Sequence, residues 1–298
     1  CSNVPENEPR DFWEAVQFVW FLQLTVQIED NGHSIAIGRL DQNLYPYYKK
    51  SVLDGDMAAE DAEELEEVVS ISDALVINIG KLSKTQIEAM EISCETADKT
   101  NTPIILDPVG VGVTQLRNKV TMDLIEKYNI SAIRGNISEI KAIAKLANVL
   151  DESNAAKGVD VNEADIITPE NLKANGEIIC ALASKLNTTI LASGPIDILS
   201  DGKLTIAIDN GDEMMPLITG SGCMLSSIVG TCIGSTTPLE GCLVAILAMN
   251  IAGEKARAKV DEKDEGTGSF RAYLIDYLYQ TNSTSLINKA NIKILWIL

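Results

Sequence analysis

The sequence predicts an α/β fold in which a mainly parallel sheet is covered by helices on both faces. Short apolar runs that end at glycine or proline alternate with helical patterns of about ten or more residues, which indicates right-handed βαβ units. Of the 298 residues, 46% are hydrophobic, which is enough to bury a large core. We expect one large domain of this class, with a helical appendage at its N-terminus.

The N-terminal segment, residues 1–55, differs from the rest because it holds most of the aromatic side chains. Residues 11–28, which follow Pro9, predict one long apolar helix, and a polar loop with His33 comes next. His33 is the single histidine of the chain, which excludes a site built from several histidines of one chain. With Asp30 close by, His33 is either a general base or a structural loop residue.

The alternation of strands and helices begins after an acidic helix at 57–68. The run at 74–80 is short, apolar and β-branched and ends at glycine, as expected of a buried parallel strand. Further strands are predicted at 103–106, 131–134, 188–192 and 204–208. Helices are predicted at 84–99, 114–128, 136–149 and 169–186, and the chain from residue 222 onward is mostly helical.

The charge of the chain limits its partners. A formal net charge of −19 argues against a nucleic acid or an anionic membrane as the partner, because both require basic surface. No apolar run approaches the roughly 18 to 20 residues that span a bilayer. The six cysteines lack any C-x-x-C pairing, which suits a reduced compartment. We therefore expect a soluble, cytoplasmic protein.

Polar or glycine-bearing signatures follow successive predicted strands, at 78–80, 107–110, 134–136 and 193–195. Open parallel sheets bind ligands at the carboxyl ends of their strands, so these signatures predict a site on one edge of the sheet.

The segment from Gly220 to Cys223 is a glycine-flanked turn that enters a predicted helix. The glycines let the backbone approach a ligand, and the helix start directs free N–H groups and a positive dipole end outward. This arrangement predicts an anion site with the Cys223 thiol beside it. The alternative is an ordinary loop that enters a buried helix.

Asp107 and Glu139 are the candidate metal ligands, since hard oxygen ligands without a histidine or thiolate cluster suit Mg²⁺. Glu139 could instead cap the helix that begins at Asn136, and Asp107 could be a turn former. Arg134 could bind a phosphate through its bidentate fork or form a structural ion pair.

The sequence has no G-x-x-x-x-G-K-[ST] P-loop, so a nucleotide would have to be held in another way. Phosphoryl transfer needs positioning, neutralisation of charge and a base for the attacking hydroxyl. The helix start, the acidic pair and Arg134 could supply the first two. Cys223 would be the proton acceptor nearest the hydroxyl.

Several motifs occur in a fixed order at 57–58, 72–80, 106–112, 133–140, 158–160, 200–202, 219–223 and 268–270. Together they resemble the hydroxyethylthiazole kinase family over roughly three quarters of the chain. The resemblance implies a ribokinase-like layered fold and ATP-dependent phosphorylation of the hydroxyethyl group of 4-methyl-5-(2-hydroxyethyl)thiazole in thiamine salvage.

The resemblance also implies roles for single residues. It implies Mg²⁺, contacts from Arg134 and Ser193 to ATP, contacts from Met57 and Gly220 to the thiazole, and a homotrimer with active sites at subunit interfaces. In this family the cysteine of the G-x-G-C turn stands where related sugar kinases carry an aspartate base, which fits the role expected of Cys223.

The N-terminal segment carries a second resemblance. The stretches at 12–17, 29–34, 38–42 and 44–48 resemble an internal piece of glycyl radical enzymes of the pyruvate formate-lyase type, without their radical loops. We therefore predict a fragment at 1–55, a kinase-like domain at 57–285 and an unassigned tail at 286–298. Two alternatives stay open, namely another ribokinase-like kinase, such as a hydroxymethylpyrimidine kinase, and a chimeric scaffold without activity.

Overall fold

The computed structural model describes residues 65–150 and 167–297. The predicted N-terminal appendage, His33, Met57 and the predicted boundary between residues 55 and 57 lie outside these residues.

The described part of the chain alternates between strands and helices in the predicted way. Its strands are β1 (Leu75–Asn78), β2 (Ile104–Asp107), β3 (Ile130–Asn136), β4 (Thr189–Ser193), β5 (Asp197–Ser200), β6 (Leu204–Ile208) and β7 (Ile292–Ile297). Its helices are α1 (Lys84–Thr100), α2 (Gln115–Lys127), α3 (Ile137–Leu146), α4 (Leu172–Leu186), α5 (Ser221–Ile233), α6 (Pro238–Lys263), α7 (Thr267–Tyr279) and α8 (Ser283–Lys289). A 3₁₀ turn, Met215–Leu217, precedes α5.

Within the described residues, seven strands form one sheet in sequence order from β1 to β7. The pairs from β1 to β4 are parallel, and the pairs from β4 to β7 are antiparallel. The predicted α/β class is confirmed, with a parallel half that is extended by an antiparallel half. Strands β5 and β7 were not predicted.

Two apolar cores lie on opposite faces of the sheet. Side chains of a strand alternate between faces, so Ile104 and Leu106 belong to one core, whereas Ile105 between them belongs to the other. The first core holds residues of α1 to α4, and the second holds residues of α5 to α7. Burial on both faces explains why these strands are continuous apolar runs rather than alternating ones.

Glycines bring α5 close to its neighbours. A Cβ atom added at Gly230 would lie 2.5 Å from Cγ2 of Val76 on β1, and one added at Gly241 would lie 2.8 Å from the backbone nitrogen of Ile233. Real Cβ atoms do not approach other atoms this closely, so α5 packs against β1 and α6 at a distance that only glycine permits. This packing places the first turn of α5 at the carboxyl edge of the parallel strands.

The C-terminal residues take part in the sheet. Strand β7 pairs with β6, and its Trp296 side chain donates a hydrogen bond from Nε1 to Sγ of Cys180 on α4, at 3.4 Å. The predicted boundary between residues 285 and 286 falls inside α8.

Helix α6 is the longest helix of the described residues and begins with Pro238 at its first turn and a capping box between Thr237 and Glu240. None of the described helices is both long and apolar enough to cross a membrane.

Candidate active site

A cleft of about 740 Å³ opens at the carboxyl edge of the parallel strands. The ends of β2, β3 and β4 and the first turn of α5 line it, and the loop after β6 and one face of α6 complete it. Of the predicted site residues, the cleft brings together Asp107, Arg134, Glu139, Ser193, Gly220 and Cys223.

The start of α5 provides backbone N–H groups to this cleft. Gly220, the N-cap residue, has φ of 92°, a left-handed conformation that glycine adopts without steric cost. No side chain among the described residues caps this helix. The N–H groups of its first turn are therefore free to bind an anion, which the helix dipole also favours.

Cys223 lies in that first turn and is exposed to the cleft. Its sulfur accepts a hydrogen bond from Nδ2 of Asn78, the last residue of β1, at 3.5 Å. A thiol at this position adjoins both the free N–H groups and the open cleft. It can therefore reach a group that is bound at the start of the helix.

Arg134 lies near the end of β3 and faces the same helix start. Its Nη2 donates a hydrogen bond to Oγ of Ser193 at 3.0 Å, and that hydroxyl donates to the backbone oxygen of Gly135 at 3.3 Å. A Cβ atom added at Gly222 would lie 2.9 Å from Nη1 of Arg134, so glycine is what permits the guanidinium to approach α5. In the described part of the chain, the buried Nε of Arg134 has no partner. Arg134 thus lies beside the anion site, and its guanidinium has N–H groups that can still donate hydrogen bonds to a bound anion.

Asp107 ends β2 and is only 1% exposed. Its Oδ2 accepts hydrogen bonds from Nδ2 of Asn78 at 2.8 Å and from Oγ of Ser226 at 2.7 Å. Its buried Oδ1 has no partner among the described residues. A buried carboxylate oxygen without a partner is costly unless a donor or cation is bound there.

Glu139 forms the helix cap that the sequence offered as its alternative role. Its Oε2 accepts from the backbone N–H of Asn136 at 2.9 Å, and its own N–H donates to Oδ1 of Asn136 at 2.9 Å. Its Oε1 accepts from the N–H of Gly110 at 2.9 Å, so Glu139 also joins α3 to the loop after β2. Each carboxylate oxygen can accept a further bond, and Glu139 lines the cleft.

These oxygens are consistent with a magnesium site of the kind that is completed by water and phosphate. The described residues contain no group of three or more His, Cys, Asp or Glu side chains that could hold a metal by themselves. Magnesium is commonly held by one or two carboxylates together with substrate phosphates, so Asp107, with Glu139 beside the same cleft, fits that pattern.

Sequence reasoning missed a buried acid on the floor of the cleft. Asp197 is 2% exposed and accepts hydrogen bonds from the N–H of Gly194 at 2.9 Å and from Nδ2 of Asn250 at 2.6 Å. Burial raises its pKa from 3.8 to about 7, against the opposing effects of these two hydrogen bonds and of the Arg134 charge. No sequence motif identifies Asp197 and Asn250 as partners, because Asn250 lies inside an apolar helix.

In its layers and in the position of its cleft, the chain is a ribokinase-like α/β protein. Residues 55–284 match the model of the "Hydroxyethylthiazole kinase family". The chain belongs to this family.

The relatives that the chain resembles carry the same family name. A hydroxyethylthiazole kinase of Methanobrevibacter smithii is 70% identical over 237 residues, which are 80% of this chain and 83% of the relative. Hydroxyethylthiazole kinase 2 of Methanosphaera stadtmanae is 52% identical over 77% of this chain and 81% of its own length. The solved structure of a hydroxyethylthiazole kinase protein from Pyrococcus horikoshii superposes with a TM-score of 0.67 at 30% identity, over 78% of this chain and 82% of that one.

The second resemblance is also confirmed. Residues 1–93 match the model "Pyruvate formate lyase-like". The two matches overlap over residues 55–93, which contain β1 and the first part of α1.

Proposed function

We propose that this chain transfers the γ-phosphoryl group of ATP to the hydroxyethyl group of 4-methyl-5-(2-hydroxyethyl)thiazole. The observation that carries the proposal is the convergence of an uncapped helix start, a guanidinium and a buried carboxylate oxygen on one cleft. The names of the relatives above support the choice of the thiazole alcohol as acceptor.

In the proposed reaction the hydroxyl oxygen of the substrate forms a bond to the γ-phosphorus, and the bond from that phosphorus to the β,γ-bridging oxygen breaks. ADP leaves with that oxygen. Cys223, as its thiolate, accepts the proton of the attacking hydroxyl on its sulfur and becomes the thiol, since this residue is exposed in the first turn of α5. The free N–H groups of that turn bind the transferring phosphoryl group where its negative charge spreads.

The nucleotide and metal are assigned to residues at the ends of β2, β3 and β4 and in the first turn of α3. Arg134 and Ser193 hold the phosphates of ATP, with the guanidinium kept in place by its hydrogen bond to the serine. Asp107 and Glu139 hold Mg²⁺, which would neutralise phosphate charge when it is bound.

The acceptor alcohol lies near Gly220, where a side chain would enter open space that the substrate needs. Met57, which lies outside the described residues, is its second proposed contact. The assignment to a cytoplasmic homotrimer in thiamine salvage rests on the family resemblance, and light scattering of the purified chain measures the number of subunits.

The direct test is an assay with the full chain, ATP, Mg²⁺ and a panel of two alcohols, the thiazole and 4-amino-5-hydroxymethyl-2-methylpyrimidine. We expect ADP release and a phosphate ester of the thiazole, identified by mass spectrometry. Phosphorylation of the pyrimidine alone would make the chain a pyrimidine kinase. A folded chain that phosphorylates neither alcohol would be a scaffold without this activity.

A further inference from the structure

The side chain of Asn78 contacts both the Cys223 thiol and the Asp107 carboxylate, and neither contact has a role in the reaction proposed above. Asn78 is the last residue of β1, and its Oδ1 accepts a hydrogen bond from the N–H of Gly80 at 2.8 Å. The oxygen of an amide accepts hydrogen bonds and its nitrogen donates them. Because the oxygen of Asn78 accepts from Gly80, it is the nitrogen that faces α5. The amide nitrogen, with its two hydrogens, therefore faces Asp107 and Cys223.

Both hydrogens of this nitrogen have acceptors. Nδ2 donates to Oδ2 of Asp107 at 2.8 Å and to Sγ of Cys223 at 3.5 Å. These two acceptors come from a strand and a helix that are far apart in sequence. A single neutral donor thus lies between a carboxylate and a thiol and contacts both.

The contact also determines which oxygen of Asp107 is left without a partner in the described part of the chain. Oδ2 accepts from both Asn78 and Ser226, and Ser226 lies one helical turn after Cys223 on α5. The other oxygen, Oδ1, is buried and has no partner among the described residues. Within this part of the chain the carboxylate is therefore held by one oxygen, and its other oxygen is left without a partner beside the cleft that Asp107 lines.

The backbone around Asn78 is built to keep its amide in this orientation. A Cβ atom added at Gly80 would lie 2.7 Å from Oδ1 of Asn78, so a larger residue would displace the amide. Arg117 fixes the same loop, because its guanidinium donates to the backbone oxygens of Ile79 at 2.6 Å and of Gly80 at 2.9 Å. A third bond from Arg117, to the oxygen of Val109, ties this loop to the loop after β2.

We propose that Asn78 is a positioning residue for phosphoryl transfer, which holds the Cys223 sulfur and the Asp107 carboxylate in a fixed geometry. This inference rests on the proposed function, in which Cys223 is the base and Asp107 a metal ligand. Ser226 supports the carboxylate of Asp107, and its second hydrogen bond, to the backbone oxygen of Gly222 at 3.2 Å, stays within α5.

The test compares Asn78→Asp with Asn118→Asp in the full chain. Asn118 also accepts a glycine N–H, from Gly112 at 2.7 Å, and lies at the same edge of the sheet, so it is a matched control. The Asn78→Asp variant keeps the acceptor for Gly80 but places a carboxylate where the donor was. We expect it to lower kcat about 100-fold, with the KM for ATP changed less than about threefold, because positioning acts on the chemical step.

A second readout does not depend on turnover. The rate of iodoacetamide modification of Cys223 at pH 8, followed by mass spectrometry of its peptide, should fall about tenfold in Asn78→Asp, because a carboxylate beside the sulfur disfavours the thiolate. Ser226→Ala should lower kcat while leaving this modification rate unchanged, since the Ser226 hydroxyl donates to Asp107 and to the backbone oxygen of Gly222 and not to the Cys223 sulfur. Asn118→Asp should change neither quantity.

An Asn78→Asp variant with the kcat and modification rate of the wild type would overturn the proposal, and so would equal losses in Asn118→Asp. If Asn78→Asp does not fold, Asn78→Ala decides instead, since it removes the amide donor without adding charge, and it should slow both processes severalfold. Wild-type chain that folds but phosphorylates neither alcohol refutes the proposed function, whereas the modification rates still test the contact between Asn78 and Cys223.

Discussion

The buried acid Asp197 predicts an unusual dependence of stability on pH. Its pKa is raised by burial from 3.8 to about 7, so between these values the folded chain keeps a proton that the unfolded chain has released. Stability therefore falls as the pH rises through this window and levels off above pH 7. At about 1.4 kcal/mol for each pH unit, the whole window amounts to about 4 kcal/mol.

Replacement of Asp197 by Asn removes the titrating group but keeps its shape. The absolute stability of this variant can differ, because its new NH₂ group faces the NH₂ group of Asn250. The informative quantity is the difference in unfolding free energy between wild type and variant as a function of pH. Between pH 5 and pH 7 the unfolding free energy of the wild type should fall by about 3 kcal/mol relative to that of the variant. Between pH 7 and pH 8 the difference should change little.

Urea unfolding, followed by circular dichroism at each pH, measures this difference. Asp276→Asn, at an exposed position of α7, is the control and should give a curve parallel to that of the wild type. If the difference between wild type and Asp197→Asn stays constant from pH 5 to pH 8, the pKa of Asp197 is not raised in the folded chain. Asp197 would then be ionised throughout, with its charge compensated by Gly194, Asn250 and Arg134.

Three further predictions follow from packing and from the site. Gly230→Ala should destabilise the chain by about 1–3 kcal/mol in urea unfolding, because the added carbon would meet Val76 at 2.5 Å, whereas Gly266→Ala, with open space around it, should change little. Burial raises the pKa of the Cys94 and Cys242 thiols to about 12, so in the native chain at pH 8 iodoacetamide should modify exposed Cys223 and spare both; fast modification of either would contradict their burial. Ser193→Ala should raise the KM for ATP about threefold to tenfold by releasing Arg134, and an unchanged KM would remove the serine from the nucleotide site.

The parallel half of the sheet could be predicted from sequence because each of its strands is buried on both faces. Such strands are continuous apolar runs, and glycine or proline marks their ends. Strand β5 could not be found in this way, since only Ile198 and Leu199 are apolar in its four residues and its pairing with β4 and β6 decides its conformation. Strand β7 is apolar enough, but its partner β6 is distant in sequence, and pattern alone does not identify such a partner.

The residues of the candidate site also include some that the sequence could predict and some that it could not. Residues at strand ends could be predicted, because parallel strands bring their carboxyl ends to one edge whatever the details of packing. The roles of Asn78 and Ser226 could not, because they depend on contacts across the fold, from Asn78 to Cys223 and Asp107 and from Ser226 to Asp107. The sequence showed Asn78 as one of the polar strand ends but carried no signal for its partners, and Ser226 resembles any small residue of a packed helix.

In the proposed function the first turn of α5 carries the phosphoryl transfer, with Cys223 as the base. The most direct test compares Cys223→Ala with Cys232→Ala, a partly buried cysteine of the same helix, in the assay with ATP and the thiazole alcohol. We expect Cys223→Ala to lose about 100-fold or more in kcat and Cys232→Ala to stay within about twofold of the wild type. A folded Cys223→Ala variant with the turnover of the wild type would contradict the role of Cys223 as the base.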